Sequence, residues 1–510
     1  MELTGRYNLE NGFHENQMTG GSVYENEQFY SVAFDACKEH FAETITTLFQ
    51  NYQYECIEQV EDLFLAVLYE KENKKLYLFT DITTSPLNLY YTVSEKELFY
   101  STSLKKLLLH SGIKRKMDMR AAKIFTHNGY ICGNRTLIEG VKKLAFGEIL
   151  EAGVDTFQIK QYPYSLKTRT VEEAKSIYMQ TIKESIEEHI SQEEEVYMPL
   201  SGGYDSNCIL ANIRQFNQKT VHAFTVGSKN GTNEIPIVEK IVDQEPNIIL
   251  KSQEVSKDLF DRFPDIIWRL DGCTYESGVF LQYALANMVH QWGGKKLLCG
   301  ESNNEIQNEK YYEDLQNVLK GNITETHILS YSENPFVATN LMILKKSSIM
   351  LNSFGIVGLY PYKNKKVVEI SNTLKDVNGS QRTIFKQECK KIIEDERINL
   401  MKSLGGTTGI RSVLSENDRN RIAKITSQNA LIQKVRHQKV KLYYPESILK
   451  RKAREVVHYI RKTFLKKQAD PDETCIRELY LMIFNELFIT GKYDSNFEDS
   501  QISIKTSDLI

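Results

Sequence analysis

A short apolar run, Val196-Tyr-Met-Pro-Leu200, passes without a break into Ser201-Gly-Gly-Tyr-Asp-Ser206 and then into a helical pattern over 207–214. No other stretch of the chain narrows its possible folds so far. The run has the length of a buried strand. Gly202 and Gly203 let the backbone turn tightly and approach an anion with no Cβ in the way. The helix that follows turns unpaired N–H groups and the positive end of its dipole toward the same point. Leu200 closes the strand, and Ser201 and Ser206 add hydroxyl donors. Asp205 is out of place in an anion site unless a cation accompanies the anion. A carboxylate holding Mg²⁺ against phosphates resolves the conflict. An ordinary strand–turn–helix corner accounts for the glycines but not for Ser, Asp and Ser together. The pattern is not the GxxxxGK[ST] loop, because no lysine follows the glycines. It argues for a Mg-nucleotide.

The periodicity of the chain changes near this loop. Upstream, Phe64–Tyr69, Leu76–Thr80, Leu87–Tyr91 and Leu98–Ser101 read as strands at about ten-residue spacing, which suggests layered sheets. A helix is expected over 116–128 and a last hairpin at Gly147–Ala152. From Val171 to Ile190 apolar residues recur at helical spacing, at Ala174, Ile177, Tyr178, Ile182 and Ile186. Strands then alternate with helices: Thr220–Thr225, a helix over 234–242, Asn247–Leu250, a helix over 278–292, and Lys296–Cys299. This rhythm predicts a parallel sheet whose ligands bind beyond the strand C-terminal ends. From about 325 the chain reads mostly helical. The expected division is residues 1–165 and 166–510.

Composition excludes several classes. With 41% apolar and 26% charged residues among 510, the chain is not collagen-like, coiled-coil or disordered. No run approaches the ~20 apolar residues of a membrane span, and the first residues lack a signal-peptide core, so a cytoplasmic protein is expected. The eight cysteines are scattered without CxxC or Cys/His ligand spacing, so neither a disulfide framework nor a zinc site is implied. His110, His127 and His222 lack companions at ligand spacing and are read as structural. Lys434 to Lys467 carries twelve Lys/Arg and two Glu. A solvated helical face is the simpler reading; a surface drawing an acidic peptide is the functional one. Nucleic acid is disfavoured by the net charge of −3.

Ser-Gly-Gly-x-Asp-Ser after a strand resembles the pyrophosphate loop of the N-type ATP pyrophosphatases. The layout resembles the asparagine synthetase family, with β-lactam synthetase and the lasso-peptide macrolactam cyclases among its branches. The resemblance implies an α/β plus α+β chain. A degenerate N-terminal-nucleophile (Ntn) type, glutaminase-like β-layer domain would span 1–165. A parallel-sheet synthetase domain with a helical C-terminal part would span 166–510. ATP and Mg²⁺ are implied as cofactors, held by Leu200, Ser201, Gly202, Gly203, Asp205 and Ser206. Phe224-Thr-Val-Gly227 resembles the strand whose backbone contacts adenine, which assigns Val226 and Gly227. Asn233-Glu234 falls at an acidic pair of the family. Gly300-Glu-Ser-Asn-Asn-Glu305 resembles its Gly-Glu-Gly-Ser-Asp-Glu stretch. By that match Gly300 lies at the nucleotide and Glu301 is the acid or base near the acyl-adenylate. Asn304 stands where the family has a second Mg²⁺ carboxylate beside Asp205, so Glu301 or Glu305 must supply the missing charge. Lys402, ahead of Gly405-Gly406, resembles the late lysine that stabilises the anionic transition states.

The departures from the family pattern lie in the N-terminal part. Residue 2 is Glu where the family's glutaminase has Cys after Met removal. In Phe79–Leu87 the family's Arg is Thr80 and its first Gly is Thr84, and its Ala-Ser-Glu becomes Ser101-Thr-Ser103. Without a thiolate no thioester forms and no ammonia is released. The expected activity is an ATP-dependent amide ligase whose amine comes from elsewhere, and a tethered amine is the natural replacement. Macrolactam closure of a ribosomal precursor peptide is the leading expectation, with a leader-peptide-binding protein and a protease as partners. The alternatives are an ammonia-dependent asparagine synthetase-like or β-lactam synthetase-like ligase, the latter generally with Tyr in place of Glu301. A catalytically inactive binding subunit is a further alternative, against which the intact loop argues.

Overall fold

The computed structural model describes residues 1–83, 87–216, 219–228, 233–243, 245–379, 381–402, 414–444, 449–450, 453 and 473–509. Eleven strands build two antiparallel sheets in the N-terminal part. The first has the order β2 (His14–Thr19), β1 (Glu2–Asn8), β8 (Glu97–Ser101), β7 (Tyr90–Ser94), β9 (Lys142–Lys143). The second has the order β11 (Thr156–Gln161), β10 (Glu148–Gly153), β6 (Lys75–Thr80), β5 (Phe64–Glu70), β4 (Phe29–Asp35), β3 (Ser22–Glu25). Leu3, Tyr7, Val67, Leu78, Leu98 and Leu150 fill one core between the sheets. Helix α1 (Phe41–Tyr52) packs Phe41, Ile45 and Phe49 on the outer side of the second sheet, against Phe64 and Phe79. Helices α2 (Leu104–Ser111) and α3 (Met119–Asn128) join a core that includes Tyr90 and runs into the C-terminal part.

Sheets covered on both faces explain which strands are visible in sequence. The first five residues of β5 are all buried, so it reads as an apolar run. Strands β2 and β3 alternate half-buried and exposed residues of mixed polarity and give no such signal. Two boundaries differ from expectation. Leu87 to Leu89 is buried but irregular, and β7 begins at Tyr90. Helix α3 begins at Met119 because the Asp118 carboxylate accepts from Ala121 N at 2.9 Å, and it ends where Gly129 turns to φ 78°.

Helix α4 spans Val171–Ile190, the range its periodicity predicts, and a Thr170/Glu173 capping box fixes its start. Strands β12 (Glu195–Pro199), β13 (Thr220–Ser228) and β14 (Ile248–Val255) then form a parallel sheet. Helices α5 (Tyr204–Ile213), α6 (Ile235–Val242), α7 (Phe263–Arg269) and α8 (Val279–Gln291) follow the strands. β15 (Lys296–Leu298) pairs in parallel with β16 (Val357–Leu359), a strand inside the stretch expected to be helical. Met198, Cys208, Ile209, Ala223 and Leu298 share one core, which sets the ends of β12, β13 and β15 side by side. Among the described residues no helix is long and apolar enough to cross a membrane.

Candidate active site

The loop after β12 is held from within. Leu200 N donates to Phe224 O at 2.8 Å, which ties the last residue before the turn to β13. Ser201 N donates to Ser206 Oγ at 3.1 Å, and the two hydroxyls lie 3.0 Å apart. Gly203 N donates to Ser201 Oγ at 3.2 Å, and Gly202 N donates to Glu234 Oε2 at 2.9 Å. The Asn207 amide donates to Ser201 O at 2.9 Å and to Gly203 O at 2.8 Å. Gly203 caps α5 from an extended backbone and has no side chain to satisfy the first N–H groups. Gly202 is required by close approach, since a Cβ there would collide with the main-chain carbonyl of Lys402.

Leu200, Ser201, Asp205, Ser206, Val226, Gly300 and Glu301 border a single open cleft of about 420 Å³. Gly202 and Gly203 form the turn at its edge, and Gly227 follows Val226 in β13. Asp205 Oδ1 accepts from Asn303 Nδ2 at 2.6 Å and from Arg382 Nη1 at 2.5 Å. Arg382 stands at φ 54°, a left-handed conformation that costs a non-glycine residue about 1–2 kcal/mol. Ser302 is likewise left-handed, at φ 76°, and turns the chain into the short helix α9 (Asn303–Ile306) that carries Asn303. Glu305 is buried; burial first, and then the Asp205 charge, push its carboxyl up to about 7. Tyr331 OH donates to it.

In the same cleft, the Glu301 Oε1 accepts from Ser347 Oγ at 3.2 Å, while its Oε2 is buried with no hydrogen-bond partner. Burial pushes this carboxyl up; the Lys346 charge and the Ser347 bond oppose the shift. Ser347 also receives the Tyr360 hydroxyl at 3.1 Å. Lys346 lines the cleft and pairs with the buried Glu276. One cleft is therefore lined by the glycine turn with the start of α5 and by a carboxyl with a raised proton affinity.

Mg²⁺ fits the oxygen donors present. Asp205 has one oxygen taken by Asn303 and Arg382, and the Glu305 carboxyl is close enough to feel its charge. Asn304 is exposed, with its amide against Glu305; the amide that reaches Asp205 belongs to Asn303. Lys402 is exposed and meets the loop through its main chain. Gly405-Gly406 and most of the basic stretch lie outside the described residues. Asn207, Asn303, Arg382, Lys346 and Ser347 were not singled out from sequence. Asn207 directly follows the motif and Asn303 lies inside Gly300–Glu305, so adjacency offered a signal for those two; Arg382 offered none.

Residues 178–320 match the sequence model of the asparagine synthase family. Residues 22–164 match that of the glutamine amidotransferase domain. The asparagine synthase match spans the loop, β13, Gly300, Glu301 and α9. It supports an ATP-dependent carbon–nitrogen ligase in general. No match is found among curated proteins. Among solved structures, the chain is similar to glutamine phosphoribosylpyrophosphate amidotransferase from B. subtilis, with 5% identity over 59% of this chain and 75% of that one, at a TM-score of 0.22. It is also similar to the U34-tRNA thiolase NcsA from Methanococcus maripaludis, with 14% identity over 50% of this chain and 97% of that one, at a TM-score of 0.22. Overlaps at these scores say nothing of function.

Proposed function

We infer that the asparagine synthase-type cleft adenylates a carboxylate and joins it to an amine. The observation that carries this reading is that one cleft is lined both by the Ser201–Ser206 loop and by Glu301, whose Oε2 is buried with no hydrogen-bond partner. A substrate carboxylate attacks the α-phosphorus of ATP, and pyrophosphate leaves into the cradle. The uncapped N–H groups at the start of α5, beside a loop held by Asn207 and Glu234, receive the charge that develops there. Asp205, with Glu305 behind it, would hold Mg²⁺, which when bound neutralises phosphate charge. Lys402, whose main chain meets the loop, would add a cation. The amine then attacks the acyl-adenylate, AMP leaves, and one proton is lost from the nitrogen. Glu301 takes that proton, a role its raised proton affinity suits.

The amine is one tethered to the substrate, and the reaction is macrolactam closure of a ribosomal precursor peptide. In the N-terminal part, the hydroxyls of Thr80, Ser101, Thr102 and Ser103, among the positions that depart from the glutaminase pattern, are engaged by the backbone. Ser101 Oγ donates to Leu3 O at 2.8 Å, and Thr102 Oγ1 accepts from Leu3 N at 2.9 Å. A leader-peptide-binding protein and a protease would accompany such an activity. The test is incubation of the full chain with ATP, Mg²⁺ and a peptide bearing a free N-terminal amine and an internal Asp or Glu. The expected result is AMP, pyrophosphate and a peptide lighter by one water. Absence of pyrophosphate with any peptide or amino acid overturns the ligase reading. Conversion of aspartate and ammonium to asparagine overturns ring closure alone.

A further inference from the structure

We propose that Cys37, Asp62 and His189 form a binding site for a zinc-class divalent ion at the junction of the two parts of the molecule. Cys37 follows β4, Asp62 precedes β5, and His189 lies in the last turn of α4. One ligand atom from each lies within 4.8 Å of the others. The three positions are far apart in sequence, so only the fold assembles them.

The site is built rather than incidental. The side chains of Asp62 and His189 are 4% and 2% exposed. His189 Nδ1 lies 2.6 Å from Ser185 O. A carbonyl can only accept, so Nδ1 carries the proton and the Nε2 lone pair points to the cluster. Nε2 stands 3.7 Å from Asp62 Oδ1, longer than a hydrogen bond. Asn364 Nδ2 holds Asp62 Oδ1 at 3.3 Å, while Asp62 Oδ2 is buried with no hydrogen-bond partner. Asp35 accepts from Cys37 N at 2.8 Å and so fixes the turn that carries the thiol. Its other oxygen is also buried without a hydrogen-bond partner, with Lys38 Nζ 3.9 Å away. A carboxylate buried with nothing to bind is costly unless a cation joins it.

The donor set selects the ion. One sulfur, one imidazole nitrogen and one carboxylate oxygen form the three-ligand set that Zn²⁺ or Co²⁺ takes with water in the fourth position. Mg²⁺ prefers oxygen alone, which separates this site from the Asp205 cleft. On binding, the Cys37 thiol gives its proton to solvent, and thiolate plus carboxylate balance the two charges of the ion. The ion would link β4, the segment before β5 and α4, clamping the double sheet to the synthetase part.

The full chain, stripped with chelator and titrated with Co²⁺ without ATP, tests this directly. One Co²⁺ per chain is expected, with a sulfur-to-cobalt charge-transfer band that Zn²⁺ abolishes. Cys37→Ser, at a partly buried position, loses the band, and His189→Gln weakens binding by at least about tenfold. Asp205→Ala keeps both. A wild-type chain with no charge-transfer band, or a band that survives in Cys37→Ser, overturns the proposal.

Discussion

The two parts of the molecule use the same kinds of polar residue in opposite ways. In the N-terminal double sheet, Thr80 Oγ1 donates to Asp81 O at 2.9 Å, Thr4 and Ser101 hydroxyls meet at 2.8 Å, and Ser103 caps α2. Each of these hydroxyls has its partner inside the protein. In the synthetase cleft, Glu301 Oε2 and Ser302 Oγ are buried without partners, and Gly203 leaves the start of α5 uncapped. Unsatisfied groups destabilise a fold by about 1–3 kcal/mol each. Groups left open at a cleft are open to a ligand, whereas hydroxyls paired within a sheet serve as scaffold; in the N-terminal part the open groups include the carboxylates of Asp35 and Asp62.

Glu301→Gln is the strongest way to break this contrast. It should lower kcat for pyrophosphate-coupled amide formation by about 10²–10⁴-fold. The wild-type rate should fall as pH drops through the raised Glu301 value, because the base becomes protonated, and Gln should erase that limb. Stability moves the other way. A raised folded-state pKa means the Glu301 contribution is complete below its unfolded value and is lost as pH rises through the folded one. Gln removes that loss, so urea unfolding at neutral pH should show a variant more stable by about 1 kcal/mol. An inactive variant that is also less stable would make Glu301 structural. Asp205→Ala should reduce pyrophosphate release by about 10²–10³-fold, leaving near-ultraviolet circular dichroism intact. Full activity in that variant would remove the metal and phosphate roles from the loop.

What could be read from sequence follows from how local each feature is. Ser201–Ser206 is legible because strand, turn and helix start are chain neighbours and each residue type has its own reason to be there. Val171–Ile190 is legible because one face of a long helix is buried. Strands β2 and β3 are not, since their polarity follows no clean alternation. Arg382 reaches Asp205 across 177 residues, and no spacing rule spans that distance. The Cys37, Asp62 and His189 cluster is hidden for the same reason: ligand spacing finds metal sites on one hairpin or one helix, not on three segments. Asn303 instead of Asn304 reaching Asp205 depends on the left-handed turn at Ser302, a backbone choice that residue identities alone leave open.

The smallest effect sharpens the comparison from the scaffold side. Ser101 is buried; its hydroxyl donates to Leu3 O and receives Thr4, so it joins β8 to β1. Removing it in Ser101→Ala leaves the Leu3 carbonyl one donor poorer at a position that Thr102 N still serves at 2.9 Å. The cost is that of one ordinary intramolecular hydrogen bond, about 1 kcal/mol, read from the urea midpoint. Amide formation and pyrophosphate release should stay at the wild-type level, because the Thr4 and Ser101 hydroxyls already have their partners within the sheet. A Ser101→Ala chain that folds normally yet loses ligase activity would show that the double sheet still contributes to the reaction, and the contrast between an open site and a closed one would fail at its closed end.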